Sequence, residues 1–175
     1  MKFVETSLTG AFLVEMNRLG DERGFFARSF CKEEFTNHDL CAEFVQCNLS
    51  FNEHANTLRG MHFQREPFGE AKLVRCTAGA IHDVIVDLRR GSPHFCRWFG
   101  VELNDENRTA LYIPPGFAHG FVTLTPRAEV FYQMSEYFRP EHSSGVRWDD
   151  RAFGIVWPVT NPVISERDAS FPDFL

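Results

Sequence analysis

Most of the chain consists of short runs of β-branched and aromatic residues closed by turn formers, a pattern of strands rather than helices. It predicts strands over 25–30, 71–76, 80–88, 95–103, 110–113, 120–123 and 130–138. The breaks fall at Gly79, Arg90-Gly91-Ser92-Pro93, Asn104-Asp105-Glu106-Asn107 and Pro114-Pro115-Gly116. Helical spacing is scarce. Its best stretch, 32–44, leads from Glu33, Glu34 and Phe35 into Leu40 and predicts one short helix. Strands at regular spacing without helices between them point to an all-β antiparallel sandwich or barrel of jelly-roll type. A Rossmann or TIM architecture would need strands alternating with helices, and neither that pattern nor a glycine fingerprint is present. No repeat, linker or charge block divides 1–175, which reads as a single domain.

Inward positions of a small barrel should be apolar, so polar residues among them carry information. A period of two places Gly60, His62 and Gln64 on one face of a strand and Arg59, Met61 and Phe63 on the other. Ile81, Asp83, Ile85 and Asp87 share a face, as do Lys72, Val74 and Cys76, and also Val130, Tyr132 and Met134. A His, a Lys, an Asp and a Tyr, each with apolar neighbours on its own face, are what an enzyme pocket inside a barrel would present. Singly, each has a plainer reading, such as a histidine bonded to a core carbonyl or a lysine reaching out to solvent.

Composition narrows the picture. The chain has 175 residues, 43% of them apolar, which is enough for a core without disulfide or metal staples. The net charge of −6 argues against a general binder of nucleic acid or anionic membrane, though a local basic patch could still hold one anionic small molecule. No apolar run reaches the roughly 18 residues of a membrane span. The opening Met1-Lys2-Phe3-Val4-Glu5 meets an acidic residue too early for a secretory signal, so a cytoplasmic location is expected. Five scattered cysteines without a CxxC pair read as reduced thiols. Nineteen phenylalanines are expected to fill the core between two sheets.

The run from Pro114 to His119 is similar to the second half of the cupin metal motif, and His62 stands where the first half would begin. A metal-binding cupin offers a second histidine two residues on, where this chain has Gln64. Two histidines make a poor metal site, so no metal is expected. No GxSxG elbow or cysteine-nucleophile signature is present.

From Asp21-Glu22-Arg23-Gly24-Phe25-Phe26 onward the chain looks like one known family. The similarity continues through Gln46-Cys47-Asn48, Leu58-Arg59-Gly60-Met61-His62-Phe63-Gln64, Lys72-Leu73-Val74-Arg75 and Asp83-Val84-Ile85-Val86-Asp87-Leu88-Arg89. It runs on through Ile113-Pro114-Pro115-Gly116-Phe117-Ala118-His119-Gly120-Phe121, Trp148-Asp149-Asp150, Gly154-Ile155-Val156-Trp157-Pro158 and Ser165-Glu166-Arg167-Asp168. In these motifs it resembles the dTDP-4-dehydrorhamnose 3,5-epimerase family of nucleotide-sugar enzymes. The resemblance implies a metal-free cupin-type jelly roll, a homodimer, and a nucleoside-diphosphate-4-keto-6-deoxyhexose as substrate. It also implies cofactor-free acid–base chemistry, because the sugar's own ketone serves as the electron sink, and a place in deoxysugar and surface-polysaccharide biosynthesis.

By the same resemblance, His62 is the base, Asp168 the carboxylate that orients it, Tyr132 the acid on the opposite sugar face, and Lys72 the cation at the ketone oxygen. His119 and Asp83 are supporting pocket residues. Arg23, Phe26, Gln46, Asn48 and Arg59 match substrate-binding positions. The chain departs from the family at Arg28, where a Glu is usual, at Phe138, which replaces a base-stacking Tyr, and at Arg167, which replaces a Lys. A Glu expected after Pro140 is shifted or lost, with Ser143 and Ser144 in that region. Guanidinium has only donors and cannot accept the thymine N3–H. Arg28 therefore raises the alternative of a CDP-linked sugar, and a C3-only epimerase would keep the same His, Asp and Tyr.

Overall fold

The computed structural model describes residues 1–174. Its strands are β1 (Lys2–Glu5), β2 (Phe12–Glu15), β3 (Arg18–Asp21), β4 (Gly24–Ala27), β5 (Gln46–Asn52), β6 (Leu58–Gln64) and β7 (Lys72–Ala78). They continue with β8 (Ala80–Asp87), β9 (Trp98–Asn104), β10 (Ala110–Ile113), β11 (Phe117–Thr123), β12 (Ala128–Met134) and β13 (Ser143–Gly145). The helices are short: α1 (Lys32–Thr36) and α2 (Glu166–Ala169). A six-stranded sheet in the order β1-β2-β10-β7-β12-β5 faces a five-stranded sheet in the order β13-β6-β11-β8-β9, and β3-β4 form a separate hairpin. Every strand pair is antiparallel. This is the all-β sandwich that the strand pattern implies.

Alternation decides which side chains meet between the sheets. Val74, Cys76, Leu111, Ile113 and Val130 of the larger sheet pack with Ile81, Ile85, Leu103, Phe117 and Phe121 of the smaller one. Two further clusters cover the outer faces. One gathers Phe35, Leu73 and Tyr112 with Phe3, Phe30 and Phe44. The other gathers Met61, Val84, Val86 and Phe153 with Trp98 and Trp157. The phenylalanines are thus spread over three layers rather than concentrated between the sheets, because chain segments outside the strands roof both sheets and need apolar cover of their own.

Several boundaries differ from the sequence pattern. The predicted helix over 32–44 is a helix only at Lys32–Thr36. The chain turns with Asp39 at φ 57°, and the apolar residues that follow pack on the sheet without helical geometry. The strand expected over 25–30 stops at Ala27, the one over 130–138 at Met134, and the one over 120–123 starts earlier, at Phe117. The first three strands, β5 and β13 were not marked by the pattern.

Candidate active site

One end of the sandwich opens into a cavity of about 520 Å³ between the two sheets. The five-stranded sheet contributes Arg59, His62, Phe63 and Gln64 from β6 and His119 and Phe121 from β11. The six-stranded sheet contributes Lys72 from β7, Tyr132 and Met134 from β12, and Leu49, Ser50 and Phe51 from β5. Glu70, just before β7, Phe138, Ser143 of β13 and Arg167 of α2 complete the lining.

Arg59 and His62 lie three residues apart, and simple alternation puts them on opposite faces of β6. Both line the cavity, because β6 is irregular where it meets β11: the register shifts between His119 and Phe121. Gly60 takes φ +133° there, a backbone conformation that L side chains rarely adopt.

His62 is half-buried, and its Nε2 lies 2.8 Å from Asp168 Oδ1. The other carboxylate oxygen accepts the Gly60 N–H at 3.1 Å. Asp168 is placed by the capping of α2, in which Ser165 Oγ accepts the Asp168 N–H. The segment before α2 is laced to the start of β6 by Leu58 N–H to the Val163 carbonyl at 2.8 Å. Burial by itself would push the Asp168 carboxyl up. The hydrogen bond and charge of His62, with the Gly60 amide, outweigh it and hold the carboxyl below its ordinary value. An ionised Asp168 requires Nε2 to carry the hydrogen, which leaves the Nδ1 lone pair free to accept a proton.

A second pair lies alongside. His119 Nε2 is 2.8 Å from Asp83 Oδ1, and His119 stands opposite His62 in the β11–β6 register. Each histidine thus commits its Nε2 to its own carboxylate. Among the described residues no group of three or more His, Cys, Asp and Glu is placed to hold a metal ion. Asp87 shares a strand face with Asp83 but is engaged away from the cavity. Its oxygens take Arg89 Nε, Arg89 Nη2 and Ser92 Oγ at 2.6–2.9 Å, and so it closes the turn after β8.

On the opposite wall, Lys72 Nζ lies 2.9 Å from Glu70 Oε1. Burial pushes the Tyr132 phenol above its usual value; the Arg59 charge opposes that and the Glu70 charge adds to it. Arg59 is steadied by Asn52 Oδ1, which accepts its Nε–H at 2.7 Å. Arg167 Nη2 donates to Ser143 Oγ at 3.1 Å, so two of the departures from the family pattern are partners. Glu141 does follow Pro140, but it is exposed and outside the lining.

Other expected residues lie next to the cavity or away from it. Gln46 Nε2 donates to Asn48 Oδ1, and Gln46 Oε1 accepts the Phe138 N–H at 3.0 Å, which fixes Phe138 at the rim. Asn48 Nδ2 reaches Met134 Sδ. Arg23, Phe26 and Arg28 are not brought to the cavity of their own chain. Phe26 is 73% exposed on the β3–β4 hairpin. Arg23 pairs with Asp21, and Arg28 Nη1 lies 2.9 Å from Glu34 Oε1.

Glu70 and Asn52 were missed by the sequence reading. The signal for Glu70 was present, since it sits two residues before Lys72 and so projects to the same side of an extended chain. Asn52 had no local signal, because its role depends on β5 lying next to β12 and facing Arg59.

The sequence model of the dTDP-4-dehydrorhamnose 3,5-epimerase family matches residues 5–175. The chain belongs to that family. Its relatives include the dTDP-4-dehydrorhamnose 3,5-epimerase of Sinorhizobium fredii, 43% identical over 98% of this chain and 89% of the relative. The structure of the Bacillus anthracis dTDP-4-dehydrorhamnose 3,5-epimerase, with TDP and PPi bound, is 44% identical over 99% of both chains, with a TM-score of 0.96. The Legionella pneumophila dTDP-6-deoxy-D-glucose-3,5-epimerase, in complex with dTDP-4-keto-L-rhamnose, is 37% identical over 97% of this chain and 90% of that one, with a TM-score of 0.91. The sandwich is accordingly a cupin-type jelly roll, and the chain is a member of an isomerase family that acts on nucleotide sugars.

Proposed function

We propose that this chain inverts C3 and C5 of a dTDP-linked 4-keto-6-deoxyhexose by general acid–base catalysis without a cofactor. One observation carries the reading. A histidine on one sheet, backed by Asp168 of α2, faces a phenol and an ammonium on the other sheet across a single cavity. Epimerisation next to a ketone needs a base on one sugar face and an acid on the other. His62 takes the C3 proton, and its electron pair moves into the C3–C4 bond as the ketone oxygen becomes an enolate. Asp168 supports the imidazolium that forms. The Lys72 ammonium stabilises the enolate oxygen. Tyr132, kept protonated by burial, delivers a proton to the other face of C3. Proton exchange with solvent then resets the imidazolium and the phenolate, and the cycle repeats at C5. His119 and Asp83 shape the pocket wall. Arg59 and Arg167 offer guanidinium forks to the diphosphate, and Gln46, Asn48 and Phe138 hold the nucleotide end.

A homodimer is part of this reading. Arg23, Phe26 and Arg28 sit outside their own cavity, on or beside an exposed hairpin, so a second copy of the chain would have to bring them to the nucleotide. The same reading assigns a cytoplasmic step that feeds deoxyhexose into surface polysaccharide such as O-antigen. The Arg28 argument for a CDP-linked sugar loses its footing, because the guanidinium is paired with Glu34 and the relatives are named for dTDP sugars.

The test is proton NMR of dTDP-4-keto-6-deoxyglucose incubated with the enzyme in D2O. Deuterium should enter at both C3 and C5; entry at C3 alone would make the chain a monoepimerase. His62→Ala should lose exchange at both carbons, by about 10²–10⁴-fold. Tyr132→Phe should slow inversion while still allowing exchange.

A further inference from the structure

We infer that Glu70 is a positioning residue for the Lys72 ammonium, holding it charged and aimed at the place where the enolate oxygen forms. This rests on the role given to Lys72 above. The two side chains are 4% and 9% exposed, and Glu70 Oε1 lies 2.9 Å from Lys72 Nζ. Among the described residues lining the cavity, Glu70 supplies the one carboxylate. The cationic and titratable groups that share the cavity with Lys72 are Arg59 and His62 of β6, His119 of β11, Tyr132 of β12 and Arg167 of α2. Asp168 and Asp83 are each taken up by their own histidine. The strand neighbours in register with Lys72, Met134 and Ile113, carry no charge.

A buried ammonium without a counter-charge bears a desolvation cost that favours loss of its proton. Glu70, 2.9 Å away, opposes that cost with its negative charge. It takes one of the three N–H donors and fixes the end of a flexible four-carbon stem, leaving two donors for substrate. The neutralised pair leaves Arg59 and Arg167, which make no salt bridge among the described residues, as the cavity's cations for a diphosphate, away from the ketone site. The same carboxylate helps to keep the proton on Tyr132.

The chain has three lysines, Lys2, Lys32 and Lys72. Labelling with ¹³Cε-lysine therefore gives three resonances, and Lys2 and Lys32, both 65% exposed, serve as internal references. In Glu70→Gln the Lys72 resonance should titrate about one pH unit or more below its wild-type midpoint while the other two stay in place. The basic limb of kcat should move down by the same amount, read as the displacement between the wild-type and variant kcat–pH profiles. Glu70→Asp, which keeps the charge one methylene further back, should fall between the two and stands in if the Gln variant does not fold. An unchanged Lys72 midpoint in the variants would overturn the inference. The titration needs no substrate, so an inactive wild type would count against the proposed function and leave this result to be read by itself.

Discussion

Asp168 is buried where burial alone would disfavour its charge, yet His62 and the Gly60 amide hold its carboxyl below the ordinary 3.8. A depressed carboxyl contributes stability that is fully present above its unfolded value and is lost as pH falls through the lower folded one. Thermal melts of wild type and Asp168→Asn should therefore differ at pH 7 and converge as pH is lowered through and below 4. A constant gap would mean that the pair with His62 does not hold the charge. At this scale the sequence was informative about residue type. His62, Lys72, Tyr132 and Asp83 stood out as polar residues on otherwise apolar strand faces. Asp87 stood out equally, and only its bonds to Arg89 and Ser92 mark it as a turn residue rather than a pocket one.

Between β6 and β11 the two backbones approach so closely that glycine is needed on both sides. A Cβ on Gly60 would lie 2.5 Å from Gly120 Cα, and one on Gly120 would lie 2.6 Å from Met61 Sδ. This close crossing is what turns both Arg59 and His62 toward the cavity. Gly60→Ala should cost about 2–3 kcal/mol in urea denaturation, because the added carbon meets backbone in an already left-handed conformation. Its remaining folded fraction should exchange substrate protons more slowly, since the Gly60 amide also steadies Asp168. Unchanged stability would show that the strands can part at no cost. Period-two alternation could not foresee this, since an irregularity in one strand depends on the partner it lies against. The short α1 has a similar cause: Leu40 and Phe44 share the spacing of a helix face, but the outer face of a sheet partly buries them without a helix.

The cavity exists only because the sheets stack so that β6 and β11 face β7 and β12, and its residues come from positions as distant as Ser50 and Arg167. The β3–β4 hairpin stands apart from it with Phe26 exposed, the geometry from which we argue for a homodimer. Light scattering should give twice the chain mass for the wild type. Phe26→Asp should shift it toward the monomer and lower turnover by tenfold or more; a monomeric wild type with full activity would refute the arrangement. Strand class, family membership and the residues we propose as acid, base and cation were legible in the linear order of residues. That is because periodicity and motif are local properties that a single chain carries openly. The Glu70–Lys72 pair, the approach of Arg59 to Asn52, the Ser143–Arg167 bond and the exclusion of Arg23, Phe26 and Arg28 from their own cavity were decided by tertiary structure. Each depends on which distant segments are folded against one another, and burial alone determines whether a charge among them must find a partner.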